Sequence, residues 1–307
     1  MPSSRKRSVL VTGATGFVGR DVCAVLEARG HDVRRVQRAE ASGAKCWQVA
    51  DLAQDDIPSA AFEGVDTLIH LAASMPGDAS DPSGAKTERM AARVTRHACL
   101  HGVKRVILLS SVAVRLALER PDQARAYARR KHSAEQAMRA ALAGGTHCVI
   151  LRPPVIYGAG AQGSFALLLG LVRKGVPLPV KNATAPRSYL SRSNLSALLC
   201  HLLEASDAQW RAQDGAVFEP HDGAGTATRD LVSQLAQALG HRVTLFALPR
   251  FALRWLGKLA GKSDQVEAMF EPLICADIQA LEAAFGWTPQ EQMPQSLEGL
   301  IGSEEQL

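Results

Sequence analysis

The sequence predicts an α/β chain: a doubly wound parallel sheet with a smaller, interleaved C-terminal substrate lobe. Three observations predict it. Apolar, β-branched runs of strand length alternate with helical patterns through the first half, a glycine-rich turn follows the first run, and after residue 157 the alternation gives way to helices with short strands.

Strands are expected at 8–12, 32–37, 46–49, 67–71, 106–110 and 148–151, and helices at 18–29, 88–101 and 123–142. Strands this hydrophobic need both faces covered, which helices between them supply. Later, "GSFALLLGLVRKG" and "TRDLVSQLAQALG" carry helical periodicity. No Pro/Gly/Ser linker and no internal repeat separates the halves, so the parts 1–157 and 158–307 are expected to be coupled.

Composition narrows the classes. At 47% hydrophobic and 21% charged residues, the 307-residue chain is neither disordered nor collagen-like. Its 35 basic and 30 acidic residues are scattered, and the basic runs lack interleaved aromatics, so no nucleic-acid partner is expected. Apolar runs such as "FALLLGLV" are too short to span a bilayer, so no stable membrane insertion is expected. The leader "MPSSRKRS" lacks a following apolar h-region, and six cysteines form no CxxC pair. A cytoplasmic protein with reduced thiols follows as the expectation. With no HExxH or HxH pair among nine histidines, no metal is expected.

The turn "TGATGFVG" gives the first half its purpose. Gly13 permits a tight turn, Gly16 lets the backbone approach a pyrophosphate, and Gly19 lets the helix pack closely on its strand. The helix N-terminus then offers N–H groups to the anion. This is the fingerprint of a Rossmann-type dinucleotide site, making 1–157 the NAD(P)-binding domain. At the end of the second strand an acidic residue would bind the ribose 2′-hydroxyl of NAD; here stand Gln37 and Arg38, and an arginine suits a 2′-phosphate. NADP(H) is favoured, with NAD(H) left open. Asp51 in "VADL" is placed to accept from the adenine amino group, and the small residues of "IHLAAS" leave room for a cofactor.

Tyr127 and Lys131 stand at i and i+4, on one face of one helix. A free phenol titrates near 10, so acting as a base at neutral pH takes a shift of about three units, or about 4 kcal/mol. A neighbouring ammonium and an oxidised nicotinamide would both favour the phenolate. Ser111, at the C-terminal edge of the fifth strand, is placed to hydrogen-bond the reacting oxygen, with Ser110 the competing choice.

These motifs, with "GVKRVILLSS", "YARRKHSAEQ", "LRPPVIYG", "RSYLSRSNL" and "FGWTP", resemble an extended short-chain dehydrogenase/reductase of the NAD-dependent epimerase/dehydratase family over essentially the whole chain. The resemblance implies a cofactor site of Gly13, Thr15, Gly16, Phe17, Val18, Gly19, Arg38, Asp51, Leu52, Leu71, Ala72, Ala73 and Pro154, with Tyr127 and Lys131 also touching it. It implies Ser111, Tyr127 and Lys131 as the catalytic triad, and Ser74, Ser111, Val155, Ser164, Phe165 and Arg187 as substrate contacts, Arg187 on a diphosphate. UDP-glucose 4-epimerase-like members and nucleotide-sugar 4-ketoreductases are the most similar. Two departures stand out: Arg115 replaces the tyrosine of "SSxxVYG", and the stretch from Ser111 to Tyr127 is trimmed.

The implied function is hydride transfer at the sugar C4 of a nucleotide sugar, by a UDP-hexose 4-ketoreductase or 4-epimerase. The alternatives are a dehydrogenase of a small apolar alcohol or ketone, steroid-like or phenolic, and a non-catalytic dinucleotide sensor. A homodimer through the helices that carry residues 88–101 and 127–131 is expected. The basic, amphipathic "LPRFALRWLGKLAGK" is expected to pack within the second lobe and not on a membrane surface.

Overall fold

The computed structural model describes residues 6–38, 40, 43–73, 81, 84–259, 261–293 and 297. In chain order the first part runs β1 (Ser8–Thr12), α1 (Phe17–Ala28), β2 (Asp32–Gln37), β3 (Cys46–Gln48), β4 (Thr67–His70), α2 (Ala85–Leu100), β5 (Arg105–Leu109), α3 (Ala113–Glu119), α4 (Ala126–Ala141) and β6 (His147–Leu151). There follow β7 (Val155–Tyr157), α5 (Gly163–Arg173), β8 (Pro186–Arg187), β9 (Tyr189–Ser191), α6 (Arg192–Glu204), α7 (Asp207–Ala212) and β10 (Ala216–Phe218). The chain closes with β11 (Thr226–Ala227), α8 (Thr228–Ala238), α9 (Arg250–Leu259), α10 (Ser263–Ala268) and α11 (Gln279–Phe285).

Two compact units result. The first comprises Met1–Pro153, Leu195–Pro220 and Asp277–Thr288; the second comprises Pro154–Asn194, His221–Ala276 and Pro289–Leu307. The first holds a seven-stranded sheet in the order β10-β6-β5-β4-β1-β2-β3, parallel throughout. This is a Rossmann-type doubly wound sheet. Strand order reverses between β1 and β4, and ligands in such sheets lie beyond the carboxyl ends of the strands at that switch. Leu10, Leu68, Val106 and Ile150 of four strands meet Met90 and Val94 of α2 and Met138 of α4 in one buried core.

The second unit pairs β7 with β9 and β8 with β11 in two-stranded sheets. Its core joins Tyr157, Phe165, Leu169 and Val172 to Leu231, Val232 and Leu235 of α8. Asp222 is its polar centre: it accepts from the Tyr157 hydroxyl at 2.7 Å, the Ser191 N–H at 2.8 Å and the Asn194 amide at 2.8 Å. Burial pushes the Asp222 carboxyl up against the pull of these donors.

Several elements differ from the sequence expectation. The segment between Ser111 and Tyr127 is not a bare loop: α3 and a 3-10 turn at Pro121–Gln123 fill it, so the next helix starts at Ala126. Arg115 there binds Glu219 through Nε at 2.9 and 3.1 Å and Glu119 through Nη1 at 3.0 Å. Helix α2 begins at Ala85, not at 88, because the buried Asp81 carboxylate accepts from the N–H groups of Lys86 and Thr87. The seventh strand, β10, was not foreseen at all. The lobe-packing expectation for 248–262 fails on one face of α9, where Phe251, Trp255, Leu256 and Leu259 are exposed. No described helix is long and apolar enough to cross a membrane.

Candidate active site

The glycine turn is as tight as its spacing implies. Gly13 sits at φ +73°, and a Cβ there would lie 2.8 Å from the Ala72 nitrogen. A Cβ on Gly19 would lie 2.1 Å from the Gly13 oxygen, so helix α1 rests on the turn itself and not on β1. Gly16 differs: its Cβ would meet only the Gly13 oxygen, at 3.2 Å, and otherwise faces open space. Helix α1 starts behind Gly16 with no side-chain cap. An open backbone face at an uncapped helix N-terminus fits a pyrophosphate. Thr15 at the turn is exposed, while Phe17 and Val18 are half-buried in the first turn of the helix.

A cleft opens beside the turn, lined by Gly13, Gln37, Arg38, Asp51, Leu52, Ala72, Ala73 and Lys86. Leu71, Ala72 and Ala73 follow β4, and the Leu71 N–H donates to the Thr12 carbonyl at 3.2 Å, drawing this segment against the turn. The Asp51 carboxylate accepts from the Ala53 N–H at 3.0 Å, from Gln54 at 3.1 Å and from Lys86 at 3.2 Å. The Ala53 bond first, and then Lys86 and Gln54, hold its pKa below the ordinary value. A carboxylate offers about four acceptor positions, so one remains for an exocyclic amine. Arg38 is exposed on the rim and makes no ion pair among the described residues. Lys86 went unrecognised in the sequence because its helix starts earlier than the pattern suggested.

At the ends of β5 and β6 the catalytic candidates converge. The Tyr127 phenol, in the first turn of α4, is buried with Ser111 near enough to lower its pKa. Ser110, the competitor, gives its hydroxyl to buried Glu135, which also takes both Arg152 donors, at 2.9 and 2.6 Å. Ser110 is therefore structural and Ser111 faces the phenol. Lys131 Nζ donates to the Leu109 carbonyl at 3.0 Å. Burial lowers the Lys131 pKa to about 8, with Glu135 opposing the shift. Burial raises the Tyr127 pKa, and the groups that pull it down are Ser111 and Arg130. Arg130 is the protein cation that opposes the rise. Arg130 gives Nη1 to the Asp81 carbonyl at 2.9 Å, and its buried Nε has no hydrogen-bond partner among the described residues. His70, at the end of β4, lines a small cavity with Ser110 and Lys131, and its Nδ1 lies 2.7 Å from the Thr12 hydroxyl. Burial, then the Lys131 charge, pushes the imidazole down to about 3, so it is neutral.

The expected substrate contacts fare unevenly. Val155 is half-buried in β7 and Ser164 is exposed in the first turn of α5. Phe165 is a correction: it is 1% exposed and its ring lies tilted 5.4 Å from the Tyr157 ring, a core position with no side-chain surface to offer. Arg187 directs Nη1 at the carbonyls of Ala268 and Glu271, clasping the chain after α10. Pro154 opens the second unit, and Ser74 lies outside the described residues. One possible ligand cluster, His31 with Cys200 and Glu204, reads as a hydrogen-bond network. The Arg7 N–H points at His31 Nδ1 at 3.3 Å, which leaves the Nε2 proton for Glu204 at 3.4 Å.

The glycine turn, the reversed strand order and the Ser111–Tyr127 pair now stand together, and the family model described as the NAD dependent epimerase/dehydratase family matches residues 9–214. The chain belongs to the NAD dependent epimerase/dehydratase family. As a member, it is an NAD-dependent enzyme. It is similar to the UDP-glucose 4-epimerase of Vibrio cholerae, 28% identical across 94% of this chain and 92% of that protein. It is also similar to the 2-alkyl-3-oxoalkanoate reductase of Stenotrophomonas maltophilia, 27% identical across 96% of this chain and 98% of that one. The solved structure of an epimerase from Methanothermobacter thermautotrophicus shares the fold, with a TM-score of 0.78 at 16% identity over 99% of this chain and 94% of the other. For a family member, the neutral His70 and the clasped Arg187 are the features of this chain that its motifs did not announce.

Proposed function

We propose that this enzyme moves a hydride at a secondary carbinol carbon, C4 of a nucleotide-linked hexose, as a 4-ketoreductase or 4-epimerase. The observation that carries the reading is Ser111 beside the buried Tyr127 phenol at the carboxyl end of the parallel sheet, one helical turn from Lys131. The sugar assignment is supported by the Vibrio relative's name and its coverage of nearly the whole chain.

Gly13, Thr15, Gly16, Phe17, Val18 and Gly19 would hold the pyrophosphate, Asp51 and Leu52 the adenine, and Arg38 a 2′-phosphate, which favours NADP(H). The bound dinucleotide supplies the hydride donor or acceptor. Tyr127 holds the proton that joins or leaves the substrate oxygen, and Ser111 orients that oxygen and steadies the phenolate. Lys131 fixes the end of β5 through Leu109, and its ammonium would favour the phenolate of Tyr127 once the dinucleotide is bound. Ser164 and Val155 would take the nucleotide and sugar, and the enzyme would work as a homodimer through α2 and α4.

A second reading, reduction of a small apolar ketone, is favoured by Arg187, whose Nη1 is already given to two carbonyls. Melting with and without UDP separates the two. Saturating UDP at a hundred times its Kd would add about 2.7 kcal/mol for a nucleotide-sugar enzyme and nothing for the other. Interconversion of UDP-sugars without added cofactor would identify the epimerase, and NADPH-dependent reduction the ketoreductase.

A further inference from the structure

We propose that helix α9 docks this protein onto an anionic lipid bilayer surface. The inward face of α9 is small and tightly seated: Leu253 and Gly257 are buried, and a Cβ on Gly257 would lie 2.8 Å from Val266 Cγ2 of α10. The outward face is apolar. Phe251, Trp255 and Leu259, four residues apart, are 76%, 62% and 68% exposed, and Leu256 beside them is 47% exposed. Side chains at this spacing form one row along a helix, here about 12 Å long.

A second row runs beside it. Arg250, Arg254 and Lys258 repeat the four-residue spacing one position earlier, Lys262 follows just beyond the helix end, and no acidic residue stands from 248 to 262. Glu267 of α10 takes Arg250 at 2.8 Å and Arg254 at 2.7 Å, so one carboxylate answers two of the four cations. Lys258 and Lys262 form no ion pair among the described residues.

An aromatic and leucine row bordered by a basic row is the composition of helices that lie in the headgroup region. Anionic headgroups meet the cations while the acyl boundary takes Phe251, Trp255 and Leu259. A second copy of the chain is a poorer occupant. A two-fold contact through this face would bring this basic row against its own copy, and protein interface cores are depleted in lysine. The docking is in the plane of the surface and is independent of which substrate the dehydrogenase site takes.

The test is co-sedimentation of the full-length protein with phosphatidylglycerol–phosphatidylcholine vesicles and with phosphatidylcholine vesicles alone, at low and high salt. Binding is expected to the anionic vesicles, weakening as salt rises. Lys258→Glu with Lys262→Glu should lower partitioning roughly tenfold or more. Phe251→Ser with Trp255→Ser should abolish it, with circular dichroism, melting temperature and cofactor binding unchanged because both sites are solvent-exposed. The proposal is overturned if the wild-type protein stays in the supernatant, or if the serine variant partitions like wild type. It is equally overturned if the serine variant dissociates an oligomer in sedimentation velocity while neither form binds vesicles, since a second copy would then cover the row.

Discussion

Lys131 anchors its ammonium on the Leu109 carbonyl at 3.0 Å, one helical turn from the phenol it was expected to acidify. Burial raises the pKa of that phenol, and Ser111 and Arg130 oppose the rise. Tyr127→Phe should reduce hydride transfer by about two to four orders of magnitude, as loss of a general acid–base does. Ser111→Ala and Arg130→Met should each move the alkaline-side pKa of the activity profile upward, while leaving cofactor affinity in place. Single-turnover absorbance of the reduced cofactor against pH reads both. A profile unmoved in either variant would remove that residue from the proton-transfer argument.

Arg38 makes a sharper test of cofactor choice. Its guanidinium stands on the cleft rim with no ion pair among the described residues, and a phosphate monoester is the group such a fork binds well. The protein should bind NADPH more tightly than NADH, and Arg38→Glu should weaken NADPH by tenfold or more while sparing NADH. Titration calorimetry measures both affinities, and equal affinities in the wild type would refute the NADP(H) preference.

The three fingerprint glycines should respond differently to alanine. At Gly13 the new Cβ meets backbone at 2.8 Å in a left-handed conformation, and at Gly19 it meets a carbonyl oxygen at 2.1 Å. Each should destabilise the fold by about 2–3 kcal/mol or more. Gly16→Ala meets only one oxygen, at 3.2 Å, so stability should change by about 1 kcal/mol or less while dinucleotide affinity falls. Urea unfolding alongside cofactor titration distinguishes the two patterns.

His70 predicts acid sensitivity. Its ring titrates near 6.5 when unfolded but at about 3 in the fold, because it is buried next to Lys131. Between those values the unfolded chain binds the extra proton, so this contribution is intact above pH 6.5 and is lost as the pH falls toward 3. The loss is on the order of a few kcal/mol. His70→Asn should flatten the unfolding free energy across that window, and an unchanged slope would contradict the assignment.

Much of this was legible in the residues. A run such as "VLVTGATGFVG" encodes strand, turn and helix locally, so β1, Gly13 and α1 appear where the pattern puts them. Tyr127 and Lys131 fall one turn apart on α4, as their spacing implies. What stayed hidden depends on distant partners. The three residues of β10 carry no period of their own, and become a strand because β6 offers Val149 to Leu151 as an edge. Asp222 stands in a "PHDGAG" turn and becomes a hub only when Tyr157, Ser191 and Asn194 close on it. For α9 the amphipathic pattern was plain, but a pattern states that two faces differ, not which of them meets solvent.

The path of the chain sets a practical limit. Residues 195–220 and 277–288 return to the first unit, bringing β10 and, in α11, Phe285, whose ring lies 6.2 Å from Trp210 and 5.8 Å from Phe218. A fragment cut after Tyr157 would strip β6 of its neighbour and leave a bare row of amide and carbonyl groups open to pairing with other molecules. Splitting this polypeptide into halves for separate expression should therefore give aggregates, whereas grafting or tagging experiments have to keep both return segments in the same chain.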